Sequence, residues 1–299
     1  MSPEVSSGDV ALEFDQLALE RAVRALCKVG VRSSPLSLER VKAWVNQFDS
    51  EAERTLAWLI LRHLVYRTAH QLGSSMRQAL KQAALHFLDS AGLMQDQIWH
   101  DALAGKVAGL SFYCGPPTGA WFTKPGKSGE VVTRWVNRNY QVEKFYPNDI
   151  TQLSPNERYL VVDDGAYTGQ QLIEFLENWR DDYSDGRVSI VVGLAHERAI
   201  ESVQGRFPHV RVFCGEMLTE KNSLRWLSSR WIADGQWPYP GTPIDTYLDL
   251  CQRRGPFERG APEGFGSLGL MVAFEHGIPD DSLQLLWDHS GQWSPLMER

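Results

Sequence analysis

The chain has 299 residues, 43% of them hydrophobic, and a formal net charge of −7. That length buries a substantial core in one large domain or two modest ones. The acidic balance argues against non-specific nucleic-acid binding over the whole surface, while leaving room for one local basic patch. Cys27, Cys114, Cys214 and Cys251 are too far apart for metal-ligand or redox spacing and read as reduced thiols of a cytoplasmic protein. Met1 to Val10 has neither a basic nor an apolar leader pattern. The Leu-rich run from Leu56 to Val65 is too short for a bilayer and is interrupted by charge, so no membrane contact is expected.

Residues 1 to about 105 read as helical throughout. Leu12, Phe14, Leu17, Leu19, Val23, Leu26 and Val29 form a broad stripe at helical spacing. Pro35 breaks the chain, Ser37 caps a helix that covers Arg40 to Phe48, and Ser50 opens another with Glu53 at capping-box spacing. Gly73-Ser74-Ser75 predicts a break before an amphipathic segment from Met76 to Leu88. The pattern then changes to short apolar runs at Val107 to Cys114, Gln141 to Tyr146, Val188 to Leu194 and Val210 to Cys214. Helical stretches at Glu130 to Asn139 and near Glu197 to Val203 alternate with them. That alternation predicts an α/β fold with a mainly parallel sheet and ligands outside the carboxyl ends of its strands. Asp234 to Gly269 is rich in Gly and Pro and predicts an irregular connection with a helical piece over Ile244 to Arg253. The organisation expected is a helical lobe over 1–105 and an α/β domain over 106–299, with a C-terminal extension from about 235.

The chemistry concentrates in the stretch from Tyr159 to Leu172. Tyr159, Leu160, Val161 and Val162 are β-favouring and end in two carboxylates, Asp163 and Asp164. Small residues follow, and from Leu172 the positions Leu172, Ile173, Phe175, Leu176 and Trp179 fall on one helical face. A strand, an acidic pair, a Gly/Thr loop and a helix N-terminus make a site for a sugar phosphate. Loop amides and the helix dipole attract the phosphate, and the carboxylates accept from sugar hydroxyls or hold Mg2+. The competing interpretation is a plain strand whose terminal aspartates cap the next helix.

Upstream, Thr123 to Gly129 reads as a loop with charge from Lys124 and Lys127, a hydroxyl from Ser128, and close backbone approach at Gly126 and Gly129. Arg134 and Arg138 follow at helical spacing, and with Lys144 these cations outnumber Glu130 and Glu143. A solvated helix face beside a Gly/Lys loop has the same composition. Gly126-Lys127-Ser128 is not a P-loop, because Trp121 occupies the place of its first glycine. Gly264 to Gly269 spells GxGxxG but precedes a strand-like run, the wrong context for a dinucleotide site.

The acidic stretch resembles the donor-binding motif of type I phosphoribosyltransferases, which use phosphoribosyl pyrophosphate (PRPP). Val161, Val162, Asp163, Asp164, Thr168, Gly169 and Leu172 match it. Three positions depart: Gly165 replaces an aliphatic residue, Tyr167 stands where many members have a carboxylate or a small residue, and Gln171 replaces a Ser or Thr that helps hold the 5′-phosphate. More loosely, from about residue 44 onward, the chain resembles phosphoribosyltransferase-like proteins of bacterial conflict systems, including effectors encoded beside retrons. The marks, in order, are Trp44-Val-Asn-Gln-Phe48, Lys127-Ser128-Gly129, Asp163-Asp164, Val212-Phe-Cys-Gly-Glu216, Phe274-Glu-His-Gly-Ile-Pro-Asp280 and Pro295-Leu296. Gly277 stands where relatives tend to carry Lys.

The resemblance implies a Rossmann-like phosphoribosyltransferase domain behind the helical lobe and displacement of pyrophosphate from C1 of PRPP. It assigns Asp163 and Asp164 to the ribose hydroxyls, directly or through Mg2+, as catalytic groups. It assigns Gly165, Ala166, Tyr167, Thr168, Gly169, Gln170 and Gln171 to the 5′-phosphate. Lys124, Lys127, Ser128 and Gly129 receive the pyrophosphate, and His276 faces the acceptor. The acceptor, whether nucleobase, nucleotide, nucleic acid or protein, is not legible. The conflict-system marks imply a toxin-like, antiviral role held in check by a protein or ribonucleoprotein partner. A PRPP- or nucleotide-sensing regulator without chemistry is the rival interpretation.

Overall fold

The computed structural model describes residues 15–93, 98–117, 128–144, 154–178, 186–255 and 262–298. The chain divides into two compact units. One contains the described residues up to Tyr66 together with those from Glu220 on, and the other spans Arg67–Thr219.

The first unit opens with three helices, α1 (Gln16–Lys28), α2 (Leu38–Val45) and α3 (Glu51–His63). Each start is set by a side chain that accepts an otherwise unpaired amide: Asp15 from Ala18, Ser37 from Arg40, and Ser50 from Glu53. Glu53 returns the bond to the Ser50 amide, completing the expected capping box. A short strand, β1 (Val65–Arg67), follows where only helix was expected.

The second unit starts with α4 (Ala69–Ser90), capped by a box of Thr68 and Gln71, and α5 (Trp99–Leu103). Strand β2 (Ser111–Gly115), helix α6 (Ser128–Tyr140) and strand β3 (Glu143–Lys144) come next. Strand β4 (Glu157–Ala166), helix α7 (Gln170–Asn178), strand β5 (Val188–His196), helix α8 (Glu197–Arg206) and strand β6 (Arg211–Leu218) complete it. The five strands form one parallel sheet in the order β3-β2-β4-β5-β6. This is the expected α/β architecture, with N-terminal helices preceding the sheet.

Helix α4 differs from expectation. It runs unbroken through Gly73-Ser74-Ser75: Gly73 packs against the Trp135 ring of α6, the exposed Ser74 donates its hydroxyl to the His70 carbonyl, and Ser75 meets the sheet. The backbone of Ser75 lies so close to Gly215 of β6 that no β-carbon fits there, and Leu72 fills the space above Gly193 of β5. Helices α4 and α5 therefore group with the sheet, and the units divide the chain elsewhere than at residue 105. On α7 and α8, Leu172, Phe175, Leu176, Ala199 and Val203 form a core with Tyr159, Val161, Val188, Ile190 and Val192 of the strands.

The chain then returns to the first unit with α9 (Leu224–Ala233), which the sequence reading does not anticipate, and α10 (Pro243–Arg254), which it does. Strand β7 (Val272–Phe274) pairs with β1. Trp44 of α2 and Phe48 just beyond it meet each other and Trp293 near the C-terminus, with ring centroids 4.9 to 5.9 Å apart at edge-on angles. Both indole N–H groups donate to the Leu285 carbonyl, and the Gln47 side chain bonds both the amide and the carbonyl of Ser294. Two of the family-like marks, at either end of the chain, are thus parts of one core. Trp293→Ala should lower the unfolding free energy of the chain by about 3–5 kcal/mol in chemical denaturation, the cost of emptying a buried aromatic site. Trp293→Phe should recover part of that loss.

Candidate functional site

The strand order turns back on itself at one place. From β2 the chain crosses outward to β3, then returns to lay β4 on the other side of β2. The carboxyl ends of β2 and β4 therefore flank a topological switch point, where open parallel sheets bind ligands. Asp163 and Asp164 sit there, on the middle strand of the five. They lie within β4, not beyond its end, since pairing with β5 continues through Gly165↔Leu194 and Ala166↔Ala195. Both are nearly buried, at 6% and 8% exposure.

A carboxylate this far from water needs donors. Oδ1 of Asp163 accepts from the Asp164 amide at 2.9 Å and from the Ser128 hydroxyl at 3.0 Å. Ser128 is the first residue of α6, so the positive end of that helix dipole points at the acidic pair. Gly129 makes the approach possible: a β-carbon there would stand 2.9 Å from Cβ of Pro116 and 3.4 Å from Oδ1 of Asp163. Burial, reinforced by the neighbouring Asp164 carboxylate, holds the Asp163 carboxyl well above the usual carboxylate range, and the two donors offset this only in part.

Past β4 the chain makes a tight loop into α7. Tyr167 is buried, Thr168 is half-buried, and Gln170 and Gln171 are exposed. The Thr168 hydroxyl accepts from the Gln170 amide at 3.4 Å, and the Gly169 carbonyl accepts from Ile173 at 2.9 Å, closing the first helical turn. Gly169 has φ +81°, and a β-carbon on it would press to 3.0 Å on the Ala199 carbonyl of α8. Only glycine suits that position.

The structure thus brings Ser128, Gly129, Asp163 and Asp164 together and places Gly165 to Gln171 on the strand end and helix start beside them. Lys124 and Lys127 lie outside the described residues. Arg134 and Arg138 are exposed, and Lys144 is paired with Glu130 at 3.0 Å. His276 belongs to the other unit, exposed in the turn after β7, with its ring stacked on Phe274 at 5.1 Å.

Sequence reasoning missed His196. It ends β5 one residue beyond the Ala166↔Ala195 pair and caps α8 by accepting from the Arg198 amide at 3.1 Å. Burial lowers its pKa, in keeping with a neutral ring whose Nδ1 must stay free to accept. A polar residue between an apolar strand and Glu197 was the available signal. Among the described residues no three His, Cys, Asp or Glu side chains gather as a metal site, and no helix is long and apolar enough to cross a membrane.

The PRTase-CE family profile matches residues 41–299. The chain belongs to the PRTase-CE family. That family is phosphoribosyltransferase-like and associated with conflict systems. No curated protein matches the chain at a significant level. The acidic pair of this PRTase-CE protein carries a stability cost that can be measured. Because the folded pKa of Asp163 is raised, its contribution to stability is full below the unfolded carboxylate value, near 4, and is lost as pH rises through the folded pKa. Asp163→Asn, which keeps an oxygen acceptor for Ser128, should therefore raise the melting temperature at pH 7 in metal-free buffer. The gain should vanish on titration to about pH 4.

Proposed function

We propose that this PRTase-CE protein binds PRPP with Mg2+ at the β2/β4 switch point and transfers its phosphoribosyl group to an acceptor. The observation that carries this is the buried pair Asp163–Asp164 on the middle strand, with the start of α6 against it and the start of α7 just beyond. Two carboxylates suit the hydroxyls of a ribose, and two helix starts suit the phosphates at its ends. In this reading the backbone from Gly165 to Gly169, with Thr168, takes the 5′-phosphate. Lys124 and Lys127 offset charge on the pyrophosphate.

The carboxylates of Asp163 and Asp164 are all-oxygen donors suited to a hard cation; among the described residues no third carboxylate, His or Cys gathers with them, so PRPP and water would supply further ligands. Bound there, Mg2+ would neutralise charge on the diphosphate. The acceptor nucleophile forms a bond to C1 as the C1–O bond to pyrophosphate breaks, and pyrophosphate leaves with the electron pair. Positioning and charge neutralisation supply most of the rate in such a displacement. His276 is the candidate for the acceptor side and its proton, a role that rests on the family resemblance. The same resemblance supports a toxin-like effector of an anti-phage system in the cytoplasm, restrained by a protein or ribonucleoprotein partner.

A regulator that senses PRPP without chemistry is the second reading, favoured by the exposed Gln171 and by Tyr167, which is buried rather than offered to an acceptor. Incubation with PRPP, Mg2+ and cell extract, following pyrophosphate release, separates the two: acceptor-dependent release is expected, and binding without release would favour the sensor. The double variant Asp163→Asn, Asp164→Asn should stay folded and lose PRPP binding in calorimetric titration; unchanged affinity would remove the donor site from this strand. Replacing Lys124 and Lys127 together by Ala should weaken PRPP more than ribose 5-phosphate. Equal losses would place these lysines away from the pyrophosphate.

A further inference from the structure

Gly165 and Tyr167, two separate departures from the phosphoribosyltransferase motif, are one feature in three dimensions. A β-carbon at 165 would lie 2.6 Å from Cζ and 3.0 Å from Cε2 of Tyr167, and closer still to the phenol oxygen. Non-bonded carbons ordinarily stay about 3.5–4.0 Å apart, so no side chain fits under the ring. Gly165 is not among the glycines with positive φ. Space alone, not backbone conformation, explains it. The ring of Tyr167 lies back over its own strand, 6% exposed, where the motif's aliphatic side chain would have been.

The other end of the same loop is held as well. Gly169 packs against the Ala199 carbonyl in the first turn of α8, and its own carbonyl closes the first turn of α7. The segment 165–169 is therefore gripped at both ends, by an aromatic ring at one and by a helix backbone at the other. A loop that holds phosphate with main-chain amides binds well only if those amides are aligned beforehand, since ordering them on binding costs affinity.

We propose that Tyr167 is a positioning residue of the 5′-phosphate loop, its ring replacing the aliphatic side chain absent at Gly165 and fixing the loop backbone for phosphate. This rests on the PRPP-site reading and deepens it. The ring acts on the loop and not on the acceptor, because it is turned inward. The two positions are consequently interdependent: an aliphatic residue at 165 requires a small residue at 167, and a ring at 167 requires glycine at 165.

The test is a double-mutant cycle on the full chain, with ribose 5-phosphate and pyrophosphate as separate calorimetric probes. Gly165→Val and Tyr167→Ala should each weaken ribose 5-phosphate by about tenfold or more, as misalignment of a binding loop does. Tyr167→Phe, which keeps the ring, should stay within about twofold, and the double variant G165V/Y167A should recover most of the loss, the mark of coupled neighbours. Pyrophosphate affinity should not move in any of them, whereas general destabilisation would lower both. Should Gly165→Val fail to fold, Tyr167→Ala carries the test. Wild-type affinity in folded Tyr167→Ala, or a double variant no better than either single, overturns the proposal while leaving the donor site intact. A wild-type chain that binds neither ribose 5-phosphate nor PRPP overturns the donor-site reading and this proposal with it.

Discussion

The second unit depends on keeping a carboxylate pair out of water at the middle of a parallel sheet. Two nearly buried carboxyls side by side repel each other and lose hydration, a combination that ordinary packing does not select. The surrounding elements are arranged around that cost. Helix α6 begins at Ser128 so that its hydroxyl and its dipole meet Asp163, and Gly129 is bare so that the helix can come close. Strand β4 extends past the pair, so the carboxylates are held by sheet pairing on a rigid element and not on a loop. Such strain held by rigid neighbours is a mark of a binding or catalytic site.

The sheet's second requirement is close helix packing. Helix α4 lies on β5 and β6 with its backbone almost touching Gly215. This supports the strands behind the site, and Gly73 in the same helix is small enough to take the Trp135 ring of α6 against it. Residues that break a helix in water are tolerated when their small size buys contact area.

The first unit solves a different problem, joining segments two hundred or more residues apart. Trp44 and Phe48 pack edge-on against each other, Trp293 from the far end of the chain completes their cluster, and the buried Glu53 is paired with Arg253. The PRTase-CE match spans 41–299 and so includes residues of both units. Trp44, Phe48 and Leu296, from marks at either end of the match, are buried in the same cluster. They report one core, not two surface motifs.

Local physics was legible in the sequence. The capping residues Ser37 and Ser50, the alternation of apolar runs with helices, and the acidic pair closing an apolar stretch each depend on neighbours within a few positions, and each appears in the structure. The candidate site was legible for the same reason, because its strand, loop and helix are contiguous from Tyr159 to Leu172. What only the tertiary structure decided depends on distant partners. The close approach of α4 to β6 depends on Gly215, the donor to Asp163 comes from Ser128, and Gly169 is required by Ala199. Even Gly165 and Tyr167, two residues apart, gave no sign of their interdependence, since sequence does not say that an aromatic ring folds back over its own strand. Periodicity and capping act through the backbone's local geometry; close approach is a property of the packed chain alone.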